Sequence, residues 1–338
     1  MDYRLLELMI PEDKVDEACE VVKEQEPLGV WTDDQTDGNS TVRVLIDTNR
    51  TENLSDKLSE KFSNIEGFRI MLFTVEATLP QPEIEEDDEE EKVKENEDES
   101  EKEVGRISRE ELYADVTSGS ELSRVYIGMV ILSTLVAAAG LIRDDVAVII
   151  GAMVIAPLLG PNVSLSLAAT LGDMELAWRS LKANAAFLFT SFGVSLLMGL
   201  ILTIDISSEQ IISRTQVGMG DITIALAAGS AGALAFTRGV PAALVGVMVA
   251  VALLPPLADI GLLLGSGYYE LAIGAGILTF TNLICINLAG VLTFLVQGVR
   301  PRTWWEAEKA KKATRVAIAI WFGLLVLFAI LIWFWGQA

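Results

Sequence analysis

The first 78 residues alternate apolar and polar positions over short stretches, and two stretches between them have helical periodicity. Alternation places every second side chain on one face of a strand, whereas apolar residues three or four apart mark one face of a helix. The order βαββαβ predicts a soluble α+β domain of the ferredoxin-like plan over residues 1–79. The predicted strands are 3–10, 28–31, 41–47 and 67–78, and the predicted helices are 11–25 and 53–62.

Seven long apolar stretches follow residue 124. Most of them approach the roughly 20 residues that a helix needs to cross the hydrocarbon core of a bilayer. The pattern therefore predicts a polytopic α-helical membrane protein. The predicted spans are 125–142, 146–171, 183–204, 222–236, 240–264, 271–296 and 316–335.

A stretch dominated by acidic residues separates these two parts. Residues 80–107 cannot bury enough apolar surface to fold, so they predict a disordered acidic linker. Residues 108–124 then predict an amphipathic lead-in helix. Ser108 and Glu111 have the spacing of a capping box at its start.

The negative charge of the chain is confined to its N-terminal part. Residues 1–124 carry the whole formal net charge of −22, and the remaining residues are neutral overall. Such acidity disfavours nucleic acid as a partner. It is also typical of the surface of a halophilic archaeal protein that stays solvated at high salt.

The residue inventory argues against catalysis. The chain has no histidine, which removes the commonest general base and metal ligand. Its two cysteines, Cys19 and Cys285, lie in different parts, so no intramolecular disulfide is expected. No Ser-Lys pair, paired intramembrane aspartates or metal-ligand cluster is visible. We therefore expect no enzyme activity, no resident cofactor and no metal site.

Basic residues in short loops indicate the orientation in the cell membrane. Six of them lie between Arg300 and Arg315, after the sixth predicted span, and Arg179 with Lys182 follows the second. Residues 1–10 lack the basic start and apolar run of a signal peptide. The pattern predicts a multi-pass protein with a cytoplasmic N-terminus and an external C-terminus.

An internal repeat covers most of the membrane part. Residues 151–161, GAMVIAPLLGP, return 95 residues later as 246–256, GVMVAVALLPP. Arg143 matches Arg238 and Glu175 matches Glu270 at this same offset. The predicted repeats are 125–204 and 220–299, followed by a basic and aromatic interface segment and last span over 300–338. Three spans in each repeat imply opposite orientations, a common plan of secondary transporters.

Both repeats carry helix-breaking residues at membrane depth. Breaks are tolerated there only inside protein or beside a wet cavity, and free helix ends can hold a substrate or ion. One alternative is that the prolines only kink packed helices. Another is that both segments turn back as hairpins, which would place Arg179 and Lys182 outside and is disfavoured. The predicted breaks are at Pro157, Gly160, Pro161, Pro255 and Pro256.

Polar residues beside these breaks are candidates for binding a substrate or ion. Asp259 lies in an otherwise apolar span, and an intramembrane acid is expensive to bury. A structural alternative is that it pairs with Arg238 or with a backbone group. Arg143, Arg238, Glu175 and Glu270 are assigned to helix boundaries. The predicted binding set is Asn162, Ser164, Asp259, Asn282 and Asn287.

Residues 151–171 and the Leu-Pro-Pro of the second repeat resemble the membrane family called domain of unknown function 389. The resemblance covers about residues 122–297, and archaeal members similar to this chain carry a small α/β domain in front. It implies a polytopic fold and no established activity. No site residue follows from it.

These observations favour a secondary transporter or permease for a small solute or ion. Its expected site lies at mid-membrane, with Na⁺ or H⁺ as the coupling ion and the cytoplasmic domain as a regulator. The alternatives are an oligomeric ion channel gated by that domain, or a sensor or scaffold that transports nothing. Small residues on the third and sixth spans favour a homo-oligomer in the lipid bilayer.

Overall fold

The computed structural model describes residues 3–34, 39–75, 108–238, 242–300 and 304–335. The chain divides into two compact units, Met1–Leu112 and Tyr113–Ala338. The predicted acidic linker over 80–107 lies outside the described residues.

The first unit is a four-stranded antiparallel sheet with two helices. Its strands lie in the order β2-β3-β1-β4, and β1 pairs with β3 on one side and β4 on the other. The elements are β1 (Tyr3–Pro11), α1 (Val15–Lys23), β2 (Gly29–Asp34), β3 (Asn39–Asp47), α2 (Thr48–Phe62) and β4 (Arg69–Val75).

Strand β1 lies at the centre of the core, because buried and less buried side chains alternate strictly along it. Leu6, Leu8 and Ile10 are fully buried on one face of the strand. Helix α2 begins five residues before its predicted start, because the Asp47 side chain accepts a hydrogen bond from the backbone N–H of Asn49 (2.8 Å). An N-cap of this kind satisfies one of the free amides of the first turn, which the apolar pattern alone does not reveal.

The second unit is helical. Among the described residues, six helices are long and apolar enough to cross a membrane, or seven if the bent pair α5–α6 counts as one span. This agrees with the predicted membrane part. The helices are α3 (Arg109–Ser118), which begins in the first unit, α4 (Arg124–Ile142), α5 (Val146–Ile155), α6 (Leu159–Leu171), α7 (Met174–Ile201), α8 (Glu209–Ile212), α9 (Met219–Thr237), α10 (Ala242–Gly265), α11 (Tyr269–Val296) and α12 (Trp304–Trp335).

The second predicted span is broken where its first proline lies. Helix α5 ends at Ile155, α6 begins at Leu159, and the two are bent by 53°. Proline disfavours a helical conformation of the preceding residue, and Ala156 is extended, with φ −66° and ψ 121°. Pro161 lies in the first turn of α6, where a missing N–H is tolerated.

The predicted break in the second repeat is wrong. Helix α10 continues without interruption through Pro255 and Pro256. A proline inside a helix leaves the carbonyl four residues earlier without its N–H donor. For Pro256 that carbonyl belongs to Ala252, and the Asn282 side-chain amide of α11 donates to it at 2.7 Å. A partner from another helix therefore replaces the lost bond.

The lead-in helix is shorter than the predicted 108–124. Helix α3 ends at Ser118, and α4 begins as a separate helix at Arg124. Ser123 separates them, because its hydroxyl accepts the backbone N–H of Tyr126 at 3.0 Å and caps the new helix.

Small residues let helices of the second unit approach closely. Ser195 of α7 packs on Gly261 of α10, where an added Cβ would lie 2.8 Å from the serine Cβ. Farther along both helices, the Ser266 hydroxyl donates to the carbonyl of Gly199 at 2.9 Å. Residue numbers rise together along this contact, so α7 and α10 run parallel.

Candidate functional site

A cluster of amides and hydroxyls lies between α6 and α11. The Asn287 side-chain amide donates to Oδ1 of Asn162 at 3.1 Å. The Ser166 hydroxyl donates to the carbonyls of Asn162 (3.1 Å) and Asn287 (3.2 Å). All three residues are buried, and Oδ1 of Asn287 has no hydrogen-bond partner. We call Asn162, Ser166 and Asn287 the amide cluster.

Asn282 supports the backbone of α10 with its side-chain amide. Its amide nitrogen is engaged by the Ala252 carbonyl, while its Oδ1 is buried and unpartnered. The nitrogen is therefore committed to supporting α10 at its prolines. Only the oxygen remains available to a ligand.

A double-mutant cycle tests this support. Asn282→Ala should lower the free energy of unfolding by about 1–3 kcal/mol, because a buried carbonyl loses its donor. In a Pro256→Ala background the cost should fall by about 1 kcal/mol, since the backbone N–H restored at position 256 can donate to Ala252. Denaturation in detergent micelles measures both values. Equal costs in the two backgrounds would contradict the assignment.

Asp259 is a buried acid of the second unit. It lies on α10, is fully buried, and neither carboxylate oxygen has a hydrogen-bond partner. A buried carboxylate without donors is strongly unfavourable. The predicted structural alternative, a bond to Arg238 or to a backbone group, is not formed, and Arg238 is exposed.

The charge that acts on Asp259 comes from the segment between α7 and α9. Arg214 interacts electrostatically with Asp259 without a hydrogen bond. Burial lowers the pKa of Arg214, and the carboxylates of Asp259 and Asp144 partly offset this. Arg214 was not among the site residues predicted from the sequence. Its relation to Asp259 could not be read from spacing, because 45 residues separate the two.

The five residues of the predicted binding set do not meet in one site. Asn162 and Asn287 meet in the amide cluster, and no hydrogen bond joins Asp259 to any other member. Seven residues separate Asp259 from Ala252, the position that Asn282 contacts, which is about 10 Å along a helix. Ser164 lies elsewhere again, where its hydroxyl donates to the carbonyl of Val116 at 2.7 Å.

The residues assigned to helix boundaries lie at helix ends. Arg143 and Arg238 directly follow α4 and α9, and both are exposed. Glu175 and Glu270 lie in the first turns of α7 and α11. An acid in a first turn interacts favourably with the helix dipole.

Gly160, one of the predicted break residues, marks a close backbone approach. An added Cβ would lie 2.5 Å from the carbonyl carbon of Gly119, in the turn after α3. The start of α6 is therefore covered by the end of the lead-in segment. Among the described residues, no group of three or more Asp, Glu, Cys or His side chains could hold a metal ion.

A family model and a relative among known proteins match this chain. The family model "Domain of unknown function (DUF389)" matches residues 153–288. An uncharacterized protein of Methanocaldococcus jannaschii is 40% identical over 304 residues, covering 90% of this chain and 91% of the relative. No solved structure matches this chain.

Proposed function

This chain belongs to the DUF389 family, whose description assigns no activity, and we propose that it is a secondary transporter for a small inorganic cation. Its central elements would be two inverted repeats in a multi-pass membrane domain. The observation that carries the proposal is Asp259, a buried carboxylate without hydrogen-bond donors in a helix of membrane-spanning length. An acid in that setting is expected to serve a substrate, a proton or an ion.

The bounds of the helices support the repeat. Helices α4 and α9 both have 19 residues, and α7 and α11 both have 28. The starts of both pairs differ by 95 residues, the offset of the sequence motif. Gly172 and Gly267, at the same offset, both have a positive φ, 72° and 85°.

Contacts between the two copies support a twofold relation. Ser195 of the first copy packs on Gly261 of the second, and Ser166 of the first packs on Gly290 of the second. Gly290 is the equivalent of Ser195, and Gly261 is the equivalent of Ser166. Each contact is therefore the other with the copies exchanged. In both, an added glycine Cβ would lie 2.8 Å from the serine Cβ.

The direction of the helices supports inversion. Helices α6 and α7 pack together and are joined by the two residues between Leu171 and Met174, so they form an antiparallel hairpin. Helix α7 runs parallel to α10, as the contacts of Ser195 and Ser266 indicate. Helix α6 and its equivalent α10 are then antiparallel, as inverted repeats require.

The amide cluster and Asn282 together provide a second set of oxygen ligands. Amide and carboxylate oxygens are suited to hard cations such as Na⁺. Oδ1 of Asn282 and of Asn287 are both buried without donors. We assign these oxygens to the same cation pathway as Asp259, where they form a separate binding site.

We infer for the first unit the ferredoxin-like plan. Its support is the order βαββαβ together with strand order β2-β3-β1-β4 in an antiparallel sheet. The unit is proposed to be cytoplasmic and the C-terminus external, from the basic loops.

Inversion is tested by cysteine labelling. In a Cys19→Ser, Cys285→Ser background, single cysteines at Arg143 and Arg238 should react with a membrane-impermeant maleimide from opposite sides of the membrane. Both side chains are exposed at helix ends, so each site should be accessible. Labelling of both positions from one side would refute the inverted repeat.

The transport proposal is tested on the same preparation. Liposomes containing the full chain should take up an inorganic cation when a Na⁺ or H⁺ gradient is applied. Protein-free liposomes should not. Unitary current steps in a planar bilayer would instead favour the channel alternative. Absence of flux for every inorganic cation tested would refute the proposal.

A further inference from the structure

The repeat begins earlier than the predicted residue 125, because each copy starts with a short helix before its first span. Helix α3 ends before α4, and α8 lies before α9. At the same offset of 95 residues, Val116 and Ile211 are both fully buried. The segment between the copies is therefore a second lead-in segment rather than a simple linker.

Hydrogen bonds at the ends of these helices repeat as well. The Ser120 hydroxyl donates to the carbonyl of Thr117 at 2.9 Å, and the Thr215 hydroxyl donates to the carbonyl of Ile212 at 2.8 Å. Both pairs are related by the offset of 95 residues. The two lead-in segments thus end in the same local structure.

In the first copy, the lead-in segment contacts the middle helix through neutral groups. Ser164 of α6 donates to the carbonyl of Val116, and Gly160 packs on Gly119. The Ser164 hydroxyl thus finds its acceptor within the same copy. No charge is involved.

In the second copy, the equivalent positions are charged. Asp259 stands at the position of Ser164, and Arg214 stands at the position of Gly119. The twofold relation thus brings a carboxylate and a guanidinium to the place where the first copy has a serine and a glycine. The electrostatic interaction of Arg214 with Asp259 agrees with this placement.

Arg214 and Asp259 interact electrostatically, but no hydrogen bond joins them. The Arg214 guanidinium donates within its own turn, to the carbonyl of Gln210, to Oε1 of Gln210 (3.1 Å) and to Oγ of Ser213 (3.4 Å). Both oxygens of Asp259 remain without a donor. Arginine and carboxylate side chains in proteins often form two parallel hydrogen bonds, and Arg214 and Asp259 form none.

A second carboxylate, that of Asp144, also interacts electrostatically with Arg214. Asp144 is exposed at the end of α4, and its Oδ1 accepts the backbone N–H of Gln210 (2.9 Å) and the hydroxyl of Ser208 (2.7 Å). These bonds lower the pKa of Asp144 and keep it charged. Arg214 therefore interacts electrostatically with one buried and one exposed carboxylate.

We infer that Arg214 is a tethered counter-cation of Asp259, which a transported monovalent cation or proton displaces toward Asp144. The inference rests on the proposed function and adds the competitor for the site. It also assigns a role to α8, because Arg214 directly follows this short helix, and Asp144 accepts hydrogen bonds from Ser208 and Gln210 at the start of the helix. Among the described residues, Arg214 is the charged group that acts on Asp259, and Asp259 and Asp144 are those that act on Arg214.

The test measures the protonation of Asp259 directly. A hydrophobic carbodiimide reacts with protonated intramembrane carboxyls, and intact-protein mass spectrometry counts the modification in the full chain in liposomes. Asp259→Asn identifies the signal of this residue. In Arg214→Gln, the pH at half-maximal labelling should rise by about one unit or more, since an adjacent opposite charge favours the ionised form of a carboxyl by about that amount.

Two further variants serve as controls. Arg214→Lys keeps the positive charge and should label like the wild type. Arg238→Gln removes an exposed arginine of the same unit and should also leave the profile unchanged. A profile of Arg214→Gln that coincides with that of the wild type would overturn the inference.

Labelling and flux separate this inference from the proposed function. A shifted labelling profile in a protein that transports no cation would retain the charge pair and refute the transporter. Flux that depends on Asp259, together with an unshifted profile in Arg214→Gln, would retain the transporter and refute the role of Arg214.

Discussion

Asp259→Asn is expected to reduce cation-dependent flux in liposomes to the rate of protein-free vesicles without lowering the thermal unfolding midpoint. The amide is nearly isosteric with the carboxylate but cannot carry the charge that attracts a cation. Asp259→Leu should also abolish flux. It should raise the free energy of unfolding by about 1–3 kcal/mol, because it removes the desolvation penalty of an unpartnered buried polar group.

A matched control distinguishes the site from a general need for acidic residues. Glu270→Gln makes the same chemical change at an exposed position in the first turn of α11. It should keep flux close to that of the wild type. If Asp259→Asn instead lowered the unfolding midpoint and left flux intact, Asp259 would be a structural residue and the proposed site would be wrong.

Gly261→Ser is expected to lower the free energy of unfolding by about 1–3 kcal/mol, the usual cost of inserting atoms into a packed interface. An added Cβ would lie 2.6 Å from the backbone nitrogen of Leu196 and 2.8 Å from the Cβ of Ser195. Chemical denaturation of the full chain in micelles measures the loss. Gly193→Ser on the same helix as Ser195 is the control, because nothing lies within 4 Å of its added Cβ.

The proposed twofold relation between the repeats adds a second variant to this test. The symmetric contact has its serine on the middle helix, at Ser166, and its glycine on the third helix, at Gly290. Combining Gly261→Ser with Ser195→Gly reproduces that arrangement at the α7–α10 contact. The double variant should recover the part of the loss that comes from the Ser195 side chain, with a coupling energy of about 0.5–3 kcal/mol. The close contact with the backbone nitrogen of Leu196 stays. Additive losses would show that the two contacts are not equivalent.

Much of the membrane part follows from local pattern. Long apolar stretches predict helices because no other single-segment structure satisfies its backbone in lipid. A long helix, or the bent pair α5–α6, overlaps each predicted span, although α7 begins nine residues and α12 twelve residues before the predicted start. The break at Pro157 was also predictable, since a proline restricts the residue before it whatever surrounds it. The capping of α2 by Asp47 moved its start without changing its type.

Outcomes that depend on distant residues were not predictable in the same way. Pro255 and Pro256 have the same local chemistry as Pro157, yet α10 continues through them. The difference comes from the amide of Asn282, which lies 30 residues from the carbonyl that it serves. Local propensity describes what one segment prefers, and it contains no information about donors supplied by another helix.

The amino-acid sequence by itself determined the two-part organisation, the apolar helices and the offset of 95 residues, because each is a periodicity or composition within the chain. Only the tertiary structure decided which polar groups meet: it pairs Asn162 with Asn287, leaves Asp259 without a donor and brings Arg214 within its electrostatic reach. The physical reason is that burial and hydrogen bonding of a side chain depend on the neighbours that folding supplies, and most of those neighbours are far away along the chain.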